Sequence, residues 1–257
     1  MAPKQNEGVD KDIQVIVDKK MHLLKKPFSM LVAGSSMAGK TTDILSWLAR
    51  PEDIFESLYD KILYISGSGM QKIFNNPALK DVIFSQDIDD LKNLKFLENG
   101  TLVILDVLLS EIADDQQLVN ICTKVVHHSN VSLIFLSQTV FFNSGPFKIL
   151  KDNLQYVYVK QFSAHHKLKF FATQMGLNQR DFMIAYEYVV SKYRYGGVLI
   201  DLNIRSDLRL LSPLRYSLLN NPQMLISEND FRKNVAKGFL KKKNNDTYIF
   251  KPQILDA

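Results

Sequence analysis

The dominant pattern in the chain is a series of short, wholly apolar runs, separated by polar turns and by segments with helical spacing. Residues 28–33 (FSMLVA) form such a run between Pro27 and Gly34, as expected of a strand buried on both faces. A polar GSSMAGKTT follows, then DILSWLAR, in which Ile44, Leu45, Trp47 and Leu48 recur at helical spacing. Residues 61–65 (KILYI), 101–105 (TLVIL) and 131–136 (VSLIFL) predict three more buried strands. Between the last two, residues 114–128 carry Leu118, Ile121, Cys122 and Val125 on one face and predict a crossover helix. Beyond them the pattern predicts a strand at 156–159 (YVYV), helices around 167–175 and 181–192, and a last strand at 197–202 (GVLIDL). Strands alternating with helices argue for a parallel α/β sheet. The first residues, to about Lys20, alternate charges around an apolar stretch at 13–17 and read as a frayed or strand-like arm, and the chain after Pro222 turns polar and basic and reads as a partly ordered extension. The expected organisation is an arm over 1–26, a core domain over 27–216 and a basic extension over 217–257.

Composition narrows the class without choosing a function. With 257 residues and 46% hydrophobic positions the chain can bury a full core, which excludes general disorder. Eleven glycines and eight prolines are ordinary usage and exclude collagen-like and low-complexity chains. Cys122 is the single cysteine, so an internal disulfide and a thiolate zinc site are both excluded, as suits a reducing compartment. No apolar run approaches the roughly 20 residues of a membrane-spanning helix, and the opening MAPKQNEGVDKD is too polar for a signal peptide. The expectation is a soluble intracellular protein. A formal charge of +5 permits a polyanionic partner and does not require one.

Chemistry concentrates at the ends of the predicted strands. Gly34, Ser35, Ser36, Met37, Ala38, Gly39, Lys40, Thr41 and Thr42 contain G-x-x-x-x-G-K-[ST], the phosphate-binding loop, between a predicted strand and a predicted helix as that motif requires. Its glycines let backbone N–H groups turn onto phosphate oxygens, Lys40 is placed for the β and γ phosphates, and the Thr41 hydroxyl for Mg²⁺. Asp106 follows TLVIL at the end of a buried strand, where α/β proteins bind ligands, and is the expected second metal-side group. The alternative for Asp106 is a turn-initiating residue. Gln138 follows VSLIFLS and is placed to orient water or sense a γ-phosphate, if its strand lies beside that of Asp106; its alternative is a solvent-facing side chain. The pairs His127/His128 and His165/His166 are adjacent in sequence, so neither pair can turn both rings to one metal. Cys122 falls on an apolar face and reads as core packing. Lys241, Lys242 and Lys243 read as a solvated face that could also meet nucleic-acid phosphates. The guanine-reading Asn/Thr-Lys-x-Asp pattern fails at Thr123 and Lys124, which Val125 and Val126 follow, so adenine is the expected base.

These residues resemble the viral genome-packaging ATPases of the FtsK–HerA superfamily, of the poxvirus, giant-virus, virophage and Maverick/polinton type. The resemblance runs from about Phe28 to Leu214. It is carried by SMLVAGSSMAGKTT, by ILYISGSGMQKIF with Tyr64 and Gln71, by LVILDVLLSEI, by TKVVHHSNVSLIFLSQTVF, by NLQYVYVKQF with Asn153, and by YGGVLIDLNIRSDLRLLSPL. Their order and spacing are specific, whereas singly only the phosphate loop is. The resemblance implies a RecA-like (ASCE) P-loop NTPase fold, a mostly parallel sheet flanked by helices. It implies ATP and Mg²⁺ as cofactors, a homo-oligomeric ring, double-stranded DNA and capsid or portal proteins as partners, and action in the host cytoplasm or nucleus where virions assemble. It implies Lys40 and Thr41 on phosphate and Mg²⁺, Asp106 as metal-side carboxylate, Gln138 as sensor and Arg209 as a residue acting on a neighbouring subunit's nucleotide. Two departures stand out. The family places a second acidic residue, the base that activates water, directly after the first, where this chain has Val107, with Glu111 as a nearby acidic residue. The family's basic-acidic pair after the YVYV-like strand is replaced by Ser163, Ala164 and His165. The alternatives to a packaging motor are a catalytically weakened ATP-binding assembly subunit and a non-viral DNA translocase of the same superfamily.

Overall fold

The apolar runs become strands because a stretch with no polar face is stable only when both sides of the sheet are covered. The computed structural model describes residues 14–16, 23–67, 79–92, 99–106, 112, 115–125, 128–140, 145–163, 165–203, 214–215, 240–244 and 247–250. In chain order its strands are β1 (Gln14–Ile16), β2 (Ser29–Ala33), β3 (Lys61–Ser66), β4 (Val82–Ser85), β5 (Thr101–Asp106), β6 (Ser132–Ser137), β7 (Tyr156–Val159), β8 (Val198–Asp201), β9 (Leu214–Arg215), β10 (Leu240–Asn244) and β11 (Thr247–Phe250). Its helices are α1 (Lys40–Ala49), α2 (Gln116–Asn120), α3 (Gly145–Asp152), α4 (His165–Gln174) and α5 (Gln179–Lys192).

Among the described residues, eight strands form one sheet in the order β4-β3-β5-β6-β2-β7-β8-β9. The six from β4 to β7 are parallel, and β8 and β9 continue the sheet antiparallel. This is the expected mostly parallel α/β sheet of a P-loop NTPase, with β6 inserted between the strand that opens into the phosphate loop and the strand that ends at Asp106. β1, β11 and β10 form a second, three-stranded sheet, β1 parallel to β11 and β10 antiparallel to it. Part of the basic segment after Pro222 is thus strand, paired with β1. No helix among the described residues is long and apolar enough to cross a membrane.

Neighbouring residues of β2 feed opposite faces of the sheet. Leu31 and Ala33 pack with Leu118, Cys122, Leu168, Phe171, Phe182 and Tyr186 under α2, α4 and α5. Met30 and Val32 pack with Ile44, Trp47 and Leu48 of α1 and with Ile54 and Phe55. Burying such side chains is worth about 1.5–3 kcal/mol each, so helices on both faces hold β2 at the centre of the sheet.

Besides the strands β9, β10 and β11, three elements differ from the pattern reading. The helix expected over 114–128 is α2, capped by Asp115 Oδ1 accepting from Gln117 N and Leu118 N, followed by a π-helical turn at Ile121–Val125. The Thr123 hydroxyl donates to the Val119 carbonyl at 2.8 Å, a side-chain bond that competes with the helical ladder. β4 has no counterpart in the reading because it is a four-residue edge strand, partly exposed. Nor has α3, which opens on Gly145 and Pro146, residues that read as a turn although proline suits a first helical turn.

Candidate functional site

The parallel register brings the C-terminal ends of β2, β3, β5, β6 and β7 to one edge of the sheet, so Gly34, Ser66, Asp106, Ser137 and Lys160 gather along that edge. At that edge β2 turns into the loop 34–39. Gly34 N donates to Ser137 O at 3.1 Å, Ser35 N to Gln161 O at 2.9 Å and Ala38 N to Ser35 O at 3.2 Å. The loop is thereby fastened to both neighbours of β2. Glycine is required at two points. A methyl group on Gly34 would stand 2.9 Å from Lys160 Cβ and 3.2 Å from Ala38 Cβ, and Gly39 takes φ +80°, the left-handed region. Met37, with φ 63°, is the exposed tip.

Gly39 is the N-cap of α1 and offers no side chain to its first turn. Those N–H groups lack intrahelical partners, and the helix dipole adds positive potential, so the loop is built to take an anion. Lys40 Nζ turns back to donate to the carbonyls of Gly34 at 2.8 Å and Ser35 at 3.0 Å. Burial pushes the Lys40 ammonium below the usual lysine range; the Asp106 carboxylate opposes this and Lys160 adds to it. A cation held by weak carbonyl acceptors in partial burial gains from an arriving phosphate.

The Thr41 hydroxyl donates to Asp106 Oδ2 at 3.1 Å, and the Tyr64 hydroxyl donates to the same oxygen at 2.9 Å. Tyr64 is buried, and desolvation with the nearby Asp106 charge holds its hydroxyl protonated, far above the ordinary phenol range. The phenol therefore stays a donor that aims the carboxylate. A hydroxyl and a carboxylate beside a phosphate cradle are the hard oxygen donors that Mg²⁺ prefers, so the residues present fit that ion.

The structure brings together Gly34 to Thr42 and Asp106 of the sequence-predicted set. Gln138 is exposed one residue beyond β6, next to Ser137, whose carbonyl takes the Gly34 N–H. Glu111 and Arg209, with Val107 and Gln71, lie outside the described residues.

The pattern reading passed over Lys160 and Asp43. Lys160 has no exposed surface; its Nζ pairs with Asp43 Oδ2 on α1 and donates to Tyr195 O at 2.9 Å and Gly39 O at 3.4 Å. Burial pushes Asp43 upward and Lys160 downward, and each partner opposes the other's shift. Lysine is ordinarily a surface residue, and the only hint in the sequence is its place directly after the buried YVYV strand.

No protein-family model and no curated protein matches the sequence. Solved structures similar to it include the genome packaging NTPase B204 from Sulfolobus turreted icosahedral virus 2 in complex with ATP-gammaS, 13% identical, covering 78% of this chain and 98% of that one with a TM-score of 0.48. The DNA-packaging ATPase B204 from Sulfolobus Turreted Icosahedral Virus is 14% identical over 69% of this chain and 94% of that one, TM-score 0.47. The pCW3 conjugation coupling protein TcpA with ATPgS is 16% identical over 52% of this chain and 48% of that one, TM-score 0.35. At such scores the likeness carries no functional weight of its own, which rests with the residues and their geometry.

Proposed function

We propose that the chain is a P-loop ATPase whose hydrolysis of ATP moves double-stranded DNA into a viral capsid. The observation that carries the ATPase part is the contact of Thr41 with Asp106 at 3.1 Å, beside the uncapped start of α1. Backbone N–H groups of the first turn hold phosphate oxygens, and Lys40 leaves the carbonyls of Gly34 and Ser35 to neutralise charge on the β and γ phosphates. Thr41 and Asp106 would hold Mg²⁺, which when bound would offset charge on the same phosphates. Tyr64 holds the Asp106 carboxylate in place through its hydroxyl. Gln138 orients water at the γ-phosphate. Glu111 as the water-activating carboxylate and Arg209 as the residue reaching a neighbour's nucleotide rest on the sequence resemblance alone.

The same resemblance supports the packaging part. In this reading 27–216 is the ATPase unit, flanked by the arm 1–26 and the basic extension 217–257. Subunits form a ring on DNA, with capsid or portal proteins as partners, where virions assemble in the host. A non-viral translocase of the superfamily would carry the same residues; capsid and maturation-protease genes beside this one mark the viral case. Val107, in the place of the expected second acidic residue, favours a second reading, an assembly subunit that binds ATP with little turnover.

Hydrolysis of Mg·ATP measured with and without double-stranded DNA tests both. The expected result is DNA-stimulated turnover that Lys40→Ala reduces about a hundredfold or more. Turnover no higher than that of Lys40→Ala removes the motor reading. Nucleotide binding without turnover, indifferent to Glu111→Gln, selects the assembly subunit.

A further inference from the structure

The phosphate cradle has a direction. Its terminal-phosphate end is marked by Thr41 and Asp106, and Asp106 ends β5, two strands to one side of β2. A nucleoside triphosphate bound in that sense leads its nucleoside away from β5, toward β7 and β8 on the other side. The turn between α5 and β8 lies there, and its Tyr195 ring rests against the loop itself. A methyl group on Gly39 would stand 3.2 Å from Tyr195 Cδ1 and 3.7 Å from Cγ.

The ring's position is set by its backbone. Gly196 N donates to Tyr193 O at 3.0 Å, closing the turn. A methyl on Gly196 would come within 2.7 Å of Val189 Cγ1, and one on Gly197 within 2.7 Å of Tyr158 Cζ, so the turn is pressed onto α5 and β7. Lys160 Nζ holds Tyr195 O and Gly39 O together, so one buried cation fastens both the aromatic turn and the phosphate loop. Arg194 Cζ lies 5.4 Å from the centroid of the Tyr195 ring. Even so, 54% of Tyr195 is exposed, leaving aromatic surface open beside an anion cradle.

We infer that Tyr195, with Arg194 over its ring, is the surface on which the nucleoside of the bound triphosphate packs, an inference that rests on the phosphate-site reading above. A fixed aromatic ring gains binding without paying for ordering, and ring stacking accepts any base because every base has a π-face.

The test is equilibrium binding of ATP and of inorganic tripolyphosphate to the full chain and to its Tyr195→Ala, Tyr195→Phe and Lys40→Ala variants. Tyr195→Ala is expected to weaken ATP by about ten- to a hundredfold and to leave tripolyphosphate unchanged, with Tyr195→Phe restoring ATP. The inference is overturned if Tyr195→Ala binds ATP as the parent does, or if tripolyphosphate weakens in parallel, which would make Tyr195 a support of the loop. Loss of neither ligand in Lys40→Ala, or no binding of either by the parent chain, instead overturns the phosphate-site reading and takes this one with it.

Discussion

Lys160 carries a charge where its side chain has no water, and the pairing with Asp43, itself 6% exposed, is what permits it. Removing one member of such a pair leaves the other charge uncompensated. Lys160→Met is therefore expected to lower stability by about 3–5 kcal/mol, with Lys160→Met/Asp43→Leu losing less than the single variant, as chemical denaturation will measure. The pH dependence has a definite sign. Burial already raises Asp43, and without Lys160 it rises further. A native state that holds the proton more tightly than the unfolded chain is penalised as pH climbs above the unfolded value. The deficit of Lys160→Met thus shrinks toward acid pH and grows toward neutrality; a pH-independent deficit overturns this account. None of it is legible locally, because Lys160 and Asp43 are 117 residues apart. Lys40, Thr41 and Asp106 were legible, since each belongs to a motif or a strand end that a linear pattern can display.

At the scale of elements, the phosphate loop has its form because two glycines occupy positions where neighbours leave no room or the backbone turns left-handed. Around Gly34 the nearest atoms are the Cβ atoms of Lys160 and Ala38 and the Gln161 carbonyl oxygen, none of them the free end of a flexible chain. Gly34→Ala is therefore expected to displace the loop, costing about 1–3 kcal/mol and abolishing nucleotide binding, which calorimetry and a binding titration will show. Unchanged affinity would mean that the loop yields without cost. The buried strands were readable because an apolar run bounded by turn residues has few other solutions. β4, a short edge strand, and α3, which opens on Gly145 and Pro146, were not, because their local signals are those of turns. The π-helical turn after α2 also escaped periodicity, which sees only that Leu118, Ile121 and Cys122 must be buried.

For the whole molecule, a ligand that binds only the folded chain adds stability that grows with the logarithm of its concentration relative to its dissociation constant. Mg·ATP at a hundred times its dissociation constant contributes about 2.7 kcal/mol, a rise in Tm of roughly 5–10 °C for a chain of this size. Lys40→Ala is expected to show none, and thermal unfolding of the two proteins with and without nucleotide measures it. The sequence by itself determined the alternation of buried strands and helices, the phosphate loop at the end of β2 and the carboxylate at the end of β5, because these depend on periodicity and on residues close along the chain. Only the tertiary structure decided that β6 lies between those two strands, that Tyr64 and Thr41 share one oxygen of Asp106, and that a buried Lys160 ties α1, the phosphate loop and the Tyr195 turn together. Strand order and the partners of buried charges are set by packing between segments far apart in sequence, and a linear pattern holds no record of that.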